Sequence, residues 1–155
     1  MKIYIGKKTA AGNFTAPPSK SFCHRALICA ALAESESVLY GMYPSDDALA
    51  TAACLSALGA DIRFDGEKAY VRGFDALSAK ATSALPCGES GSTLRFLTAI
   101  ALLSQNEVTL TGTTRLMQRP LAEYEKICLE QNLLYKKDDT SLTVCGRLSA
   151  GTYEI

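Results

Sequence analysis

The sequence carries no net charge: Lys and Arg together number 16, and so do Asp and Glu. No long run of one sign interrupts it. That excludes a general nucleic-acid surface and confines any anion site to a local cluster. There is a single histidine, His24, which leaves no basis for a Ser/His/Asp triad. It stands four residues after Lys20 and reads as a solvated residue or one lying behind a site. The six cysteines, Cys23, Cys29, Cys54, Cys87, Cys128 and Cys145, contain no C-x-x-C pair. With one histidine available, no metal site is expected. Four of these cysteines sit in apolar, helix-like segments, so buried reduced thiols and a cytoplasmic location are the expectation. Residues 1–8 lack the apolar region of a signal peptide, and no uncharged apolar run is long enough to span a bilayer, so no membrane partner is expected. One further absence is local: no acid occurs from Met1 to Ala33.

What is present is enough for one domain with a substantial core, 155 residues of which 48% are hydrophobic. The acid-free segment holds the stretch on which the chain turns, Pro17-Pro18-Ser19-Lys20-Ser21-Phe22-Cys23-His24-Arg25. The prolines forbid helix through their own positions, and Ser19 can then cap a helix. Ser21 and Arg25 share a face, with Lys20 beside them in the first turn. Two cations at the positive end of a helix dipole repel it, an arrangement that an anion in the gap would relieve, phosphate above all.

In chain order, Lys2–Gly6 predicts a strand and Lys7–Pro18 a connector. Ser21–Ala33 predicts a helix whose unbroken apolar run, Ala26–Ala33, calls for burial on all sides. Ser37–Gly41 reads as a strand, and a helix follows Pro44-Ser45-Asp46-Asp47 to Leu58 and stops at Gly59. Asp61–Phe64 and Ala69–Arg72 form a hairpin across Asp65-Gly66-Glu67. The same order then recurs. A helix opens at Glu89-Ser90-Gly91-Ser92, with an apolar body over Phe96–Leu103, and Val108–Thr111 is a strand. Pro120 suits the first position of a helix running to Gln131, with Leu121, Tyr124, Ile127 and Cys128 on one side. Leu133–Lys136 and Leu142–Cys145 make a second hairpin. Arg25 pairs with Arg95, Gly41 with Gly112, Gly59 with Asn132 and Gly73 with Gly146, at a spacing of about 70 residues. The chain reads as a duplication, with a further strand beginning at Gly151–Ile155 and an end that looks cut.

Each copy opens with a polar loop leading into a buried helix. Gly91 lets backbone N–H groups approach a ligand. Arg115-Leu116-Met117-Gln118-Arg119-Pro120 adds two arginines whose forks suit carboxylate or phosphate oxygens, or else form a solvated turn. Asp46-Asp47 fits either a capping pair or a functional carboxylate. Nothing marks Cys87, beside the glycine loop, as activated.

Together, Ser19-Lys20-Ser21 with Arg25-Ala26-Leu27, then Ser45-Asp46-Asp47, Gly88-Glu89-Ser90-Gly91-Ser92-Thr93-Leu94-Arg95 and Arg115-Leu116-Met117-Gln118-Arg119-Pro120, resemble the N-terminal part of the 3-phosphoshikimate 1-carboxyvinyltransferase (5-enolpyruvylshikimate-3-phosphate synthase) family. Order and spacing match along essentially the whole chain. Each motif is modest alone; four in series are specific. Lys20-Ser21 also separates the chain from the UDP-N-acetylglucosamine enolpyruvyl transferases, which typically have Lys-Asn there.

The resemblance implies an α/β (α+β) fold, an inside-out α/β barrel domain of repeated βαβαββ units. Residues 1–155 would be a partial domain, with units at about 15–74 and 86–147. The strand at 1–6 would belong to a second domain, and the whole would cover about the first third of such an enzyme. The family reaction moves the enolpyruvyl group of phosphoenolpyruvate to the 5-hydroxyl of shikimate 3-phosphate and releases phosphate, in the shikimate pathway to chorismate and the aromatic amino acids. No cofactor and no metal take part. By resemblance, Lys20, Ser21 and Arg25 contact shikimate 3-phosphate, while Lys20, Gly91 and Arg119 hold phosphoenolpyruvate. Lys20 and Asp47 fall on positions that serve the chemistry, and Glu89, Ser92, Arg95 and Arg115 stand behind them. A full-length member is expected to be a monomer; the 155 residues by themselves are expected to be inactive and to self-associate through exposed sheet edges. The alternatives are a stand-alone anion-binding module and a relative acting on another phosphorylated substrate. Two departures stand out: Pro18 where many members carry Gly, and Glu89 where many carry Asn, an acid beside the phosphoenolpyruvate position.

Overall fold

A computed structural model describes residues 2–4, 6–7, 9 and 11–153. Four of its five helices are opened by a hydroxyl. Ser19 Oγ accepts from the Phe22 N–H at 3.4 Å to start α1 (Lys20–Ala31), and Ser45 Oγ from Ala48 at 3.4 Å to start α2 (Asp46–Ala57). Ser90 Oγ accepts from Thr93 at 3.3 Å to start α3 (Gly91–Ala101), and Thr113 Oγ1 from Leu116 at 3.2 Å to start α4 (Thr114–Met117). Each cap satisfies one orphan donor, a contribution of about 1 kcal/mol. The fifth helix, α5 (Ala122–Glu130), starts two residues past Pro120, because Leu121 is not helical (φ −135°, ψ 29°).

The strands are β1 (Ser37–Tyr40), β2 (Asp61–Asp65), β3 (Lys68–Arg72), β4 (Leu85–Gly88), β5 (Val108–Gly112), β6 (Leu134–Lys137) and β7 (Ser141–Cys145). They form two sheets, of order β1-β3-β2 and β4-β5-β7-β6. The duplication is visible here, since β1, β3 and β2 correspond to β5, β7 and β6, all antiparallel in both copies. Both copies close alike. Phe74 N–H donates to the Ala31 carbonyl at the end of α1, and Leu148 N–H to the Leu102 carbonyl at the end of α3, each at 2.9 Å. Gly59 (φ 119°) and Asn132 (φ 54°) both turn the chain out of a helix through the left-handed region, which glycine and asparagine tolerate best.

Only the second sheet has an added parallel strand, β4 on β5, which the sequence reading missed. Leu85-Pro86-Cys87-Gly88 contains two residues that argue against a strand. Pro86 is tolerated because β4 lies at the sheet edge. The described residues 2–4 and 6 are not in strands, nor are 151–153; Ile5, Glu154 and Ile155, parts of the two strands expected there, lie outside the described residues.

Helices α1, α2 and α3 pack on one another, with β3 against α1, β4 against α2, and β5 and β7 against α3. These three helices thus pack against one another and against the two sheets. One apolar cluster runs through both copies, with Leu27, Leu55, Leu97, Leu110 and Leu142 fully enclosed; burial of such a side chain contributes about 1.5–3 kcal/mol. The apolar body Phe96–Leu103, which runs through α3 and just past its end, has no exposed residue, in line with its composition. Helix α1 differs: Phe22, Cys29 and Leu32 are exposed, correcting the expectation of burial on all sides. Among the four helical cysteines, Cys23, Cys54 and Cys128 are buried and Cys29 is not; all six are free thiols.

Candidate functional site

Lys20 is the first residue of α1, and its Nζ lies 3.3 Å from Asp47 Oδ2 in the first turn of α2. Ser45 caps α2, so the Asp47 carboxylate is released from capping and faces the cation. The pair remains open to solvent, with the side chains 66% and 34% exposed, and so contributes little to stability. It lines a cleft of about 650 Å³ together with Gly88 and Glu89, the approach to α3. Glu89 is exposed; Ser90, not Glu89, caps α3, and Glu89 makes no ion pair among the described residues.

Two further arginines reach α3, one at its opening and one in its second turn. A β-carbon at Gly91 would overlap the Arg119 guanidinium and sit 3.4 Å from its Cζ. Arg119 therefore rests on the first helical residue of α3. The Gly91 and Ser92 N–H groups there have no intrahelical acceptor. Arg25 crosses from α1 to the same helix: its Cζ stands 5.3 Å from the centre of the Phe96 ring, while Nη1 donates to the Ser21 carbonyl at 2.9 Å. Lys20, Arg119 and Arg25 thus each border the segment Gly88–Phe96. Ser21 is exposed in the first turn of α1, and Ser92 is half-buried in the first turn of α3.

Arg95 is tied within the protein at both its side chain and its carbonyl. Its Nη2 donates to the Pro120 carbonyl at 2.9 Å, and its own carbonyl accepts from the Tyr124 hydroxyl at 2.8 Å. Lys137 Nζ donates to the Arg119 carbonyl at 3.2 Å. The Arg119 turn is thereby fixed from α3, α5 and β6. Arg115 is exposed on α4 and makes no hydrogen bond to these residues among those described. Neither Lys137 nor Phe96 was singled out from sequence, because a hairpin lysine and a helix aromatic carry no local signal of where they reach.

Of the two readings open for His24, the structure takes the one lying behind the site and not the solvated one. It is 3% exposed, with Nδ1 2.6 Å from Thr51 Oγ1. Burial holds its pKa below the usual 6.5, with Arg25 and Lys20 acting in the same direction and Asp47 against them. Cys87 is fully enclosed beside Cys54, whose thiol is pushed far up by its hydrogen bond to Cys87 and by burial; neither feature suits a nucleophile. A hollow of about 490 Å³ near Leu32 and Phe74 is lined by Glu34 and Asp75 without a cation and does not suit an anion. Among the described residues no cluster of three His, Cys, Asp or Glu could hold a metal, and no helix is long and apolar enough to cross a membrane.

Two units of one strand order, helices packed on one another and on both sheets, and helix openings bordering a single cation-lined segment define an α/β domain of the enolpyruvyl-transferase kind. A family model described as EPSP synthase (3-phosphoshikimate 1-carboxyvinyltransferase) matches residues 5–130, and the chain belongs to that family. It is 36% identical over 156 residues to the 3-phosphoshikimate 1-carboxyvinyltransferase of Clostridium perfringens (strain SM101), an alignment covering 99% of this chain and 37% of that protein. It is 50% identical over 113 residues to the enzyme of the same name from Methanosphaerula palustris, covering 71% of this chain and 27% of the relative. In structure it is similar to EPSP synthase from Acinetobacter baumannii, with a TM-score of 0.75 and 26% identity over 87% of this chain and 32% of that one. The chain therefore spans 37% of the length of the Clostridium relative.

Proposed function

We propose that this chain supplies one wall of the active site of an enzyme that transfers the enolpyruvyl group of phosphoenolpyruvate to the 5-hydroxyl of shikimate 3-phosphate, releasing phosphate. In this reading Lys20, Ser21 and Arg25 bind shikimate 3-phosphate, and Gly91 and Arg119 bind phosphoenolpyruvate. Lys20 borders both and offsets charge as phosphate departs. Asp47 holds the Lys20 ammonium in place. The C5 oxygen of shikimate 3-phosphate forms a bond to C2 of the enolpyruvyl group, the C2–O bond to phosphate breaks, and the proton lost by the hydroxyl is balanced on the departing phosphate. Both substrates are polyanions, and cations at helix openings draw them together against their mutual repulsion. The six free thiols favour a cytoplasmic setting.

The observation that carries the reading is the shared border: Lys20 and the Gly88–Glu89 approach to α3 line one cleft, and Arg119 is seated on Gly91 at the helix opening that follows. Calorimetric titration with shikimate 3-phosphate and phosphoenolpyruvate tests it. Saturable binding is expected, lost in Lys20→Met and weakened in Arg25→Ala. Equal binding by Lys20→Met and the unsubstituted chain would overturn it.

The exposure of Lys20 favours a second reading for the 155 residues by themselves, an anion-binding module without turnover. A lysine two-thirds open to water does not sit in the water-excluding site that group transfer needs. Binding without product is the expected outcome for the isolated chain, and formation of 5-enolpyruvylshikimate 3-phosphate would exclude it.

A further inference from the structure

Four side chains, from α1, α2 and the opening of α3, form one buried hydrogen-bonded chain. His24 Nδ1 lies 2.6 Å from Thr51 Oγ1, and Thr51 Oγ1 lies 2.7 Å from Thr93 Oγ1. Thr93 Oγ1 in turn donates to Ser90 Oγ at 2.7 Å. Thr51 and Thr93 are fully enclosed, and His24 and Ser90 are 3% and 4% exposed. The protons can be counted. Thr93 has one and gives it to Ser90, so its oxygen accepts. The one proton of Thr51 goes to Thr93, with the Asp47 carbonyl at 3.1 Å as its alternative acceptor. Either way none is left for the imidazole, and His24 must donate from Nδ1.

Each link lies within about one helical turn of a residue assigned to the site. His24 is four residues from Lys20 on α1, Thr51 four from Asp47 on α2, and Thr93 two from Gly91 on α3. Apolar contacts let packed helices slide by fractions of an ångström, whereas short directional bonds in a dry interior hold one register. We propose that the His24–Thr51–Thr93–Ser90 chain is a positioning device that fixes the Lys20 and Asp47 openings against the Gly91 opening. The role rests on the reading of the site as a binding wall for shikimate 3-phosphate and phosphoenolpyruvate. These four are positioning residues and are not assigned contacts with substrate.

The test uses the 155-residue chain labelled with nitrogen-15. As the only histidine, His24 gives ring signals that need no assignment. The expected result is the Nδ1–H form in the unsubstituted chain, and a shift toward Nε2–H in Thr51→Val. Affinity for shikimate 3-phosphate should fall about tenfold in Thr51→Val, the size of one lost internal hydrogen bond at its upper range, and Thr51→Ser should restore both readouts. Thr93→Val should weaken binding by a similar factor, although α3 holds no residue assigned to that ligand. The double variant should lose no more than either single one. If Thr51→Val does not fold, Thr93→Val carries the same comparison. A wild-type Nε2–H form overturns the proposal. So does Thr51→Val that loses the Nδ1–H form yet keeps its affinity. Absence of any shikimate 3-phosphate binding by the unsubstituted chain overturns the functional reading and the positioning role together. The ring signal then still decides whether the buried chain of bonds exists.

Discussion

The guanidinium of Arg119 fills the space that a side chain at Gly91 would need. A glycine opens α3 because an arginine from 28 residues later in the sequence lies against it, not because the backbone is left-handed there; Gly91 is absent from the positive-φ residues. The contact joins the two sequence segments that matched the phosphoenolpyruvate positions.

Gly91→Ala is therefore expected to displace Arg119 without harming the fold. Alanine gains up to about 1 kcal/mol over glycine in a helix, so the urea midpoint should hold or rise. Phosphoenolpyruvate binding should weaken about tenfold or more, the scale of one charge-assisted hydrogen bond. Calorimetry and urea denaturation on the same samples decide it; unchanged affinity would show that Arg119 does not reach the ligand.

Ser45 and Asp47 separate capping from charge. Ser45→Ala removes the α2 cap and should cost about 1 kcal/mol of stability. Asp47→Asn removes an exposed ion-pair partner and should cost about 1 kcal/mol or less. It also frees the Lys20 ammonium from the position in which Asp47 holds it, so shikimate 3-phosphate should bind more weakly in calorimetry. Equal or tighter anion binding by Asp47→Asn would show that the carboxylate competes with the ligand rather than supporting it.

Buried His24 makes stability depend on pH. Its folded pKa lies below 6.5 because burial disfavours the imidazolium. The unfolded chain therefore binds the proton more readily, and stability rises with pH in this window. The contribution is fully present above about 6.5 and is lost as pH falls from there toward the lower folded value. Urea unfolding at pH 7.5 and 5.5 should show a lower midpoint at the acid end, and His24→Asn should flatten the difference. The shifted carboxylates Asp75 and Asp138 lie lower still and do not titrate in that range.

Strand β1 pairs only with β3, which leaves its other edge free among the described residues, with Val38 and Tyr40 exposed. Open edges template pairing with another chain. Light scattering should show mass rising with concentration, and Val38→Lys should suppress it. A constant monomer mass across concentrations would mean that the edge is protected.

Local physics made much of this chain legible from sequence. Ser19, Ser45 and Ser90 each precede their helix because a hydroxyl there meets an orphan N–H. Gly59 and Asn132 mark helix ends because each tolerates a left-handed turn. The twofold order of elements follows from such short-range signals, since they depend on neighbours a few residues away. Strand β4 escaped because its Pro86 is acceptable only at a sheet edge, a property set by partners and not by its own residues. The outer side of α1 is exposed despite its apolar run because burial depends on what packs against it, and composition carries no record of that.

The sequence by itself determined most of the element order, the serine caps, the twofold pattern and the residue types able to meet an anion. The tertiary structure alone decided that Arg119 lies on Gly91, that Lys20 faces Asp47, that Arg95 clamps a turn, and that His24 is interior. Caps and turns arise from interactions along one stretch of backbone, and periodicity records them. Contacts across 27 residues, as between Lys20 and Asp47 or His24 and Thr51, exist only once hydrophobic packing has fixed the helices side by side, and no spacing within the chain encodes that distance.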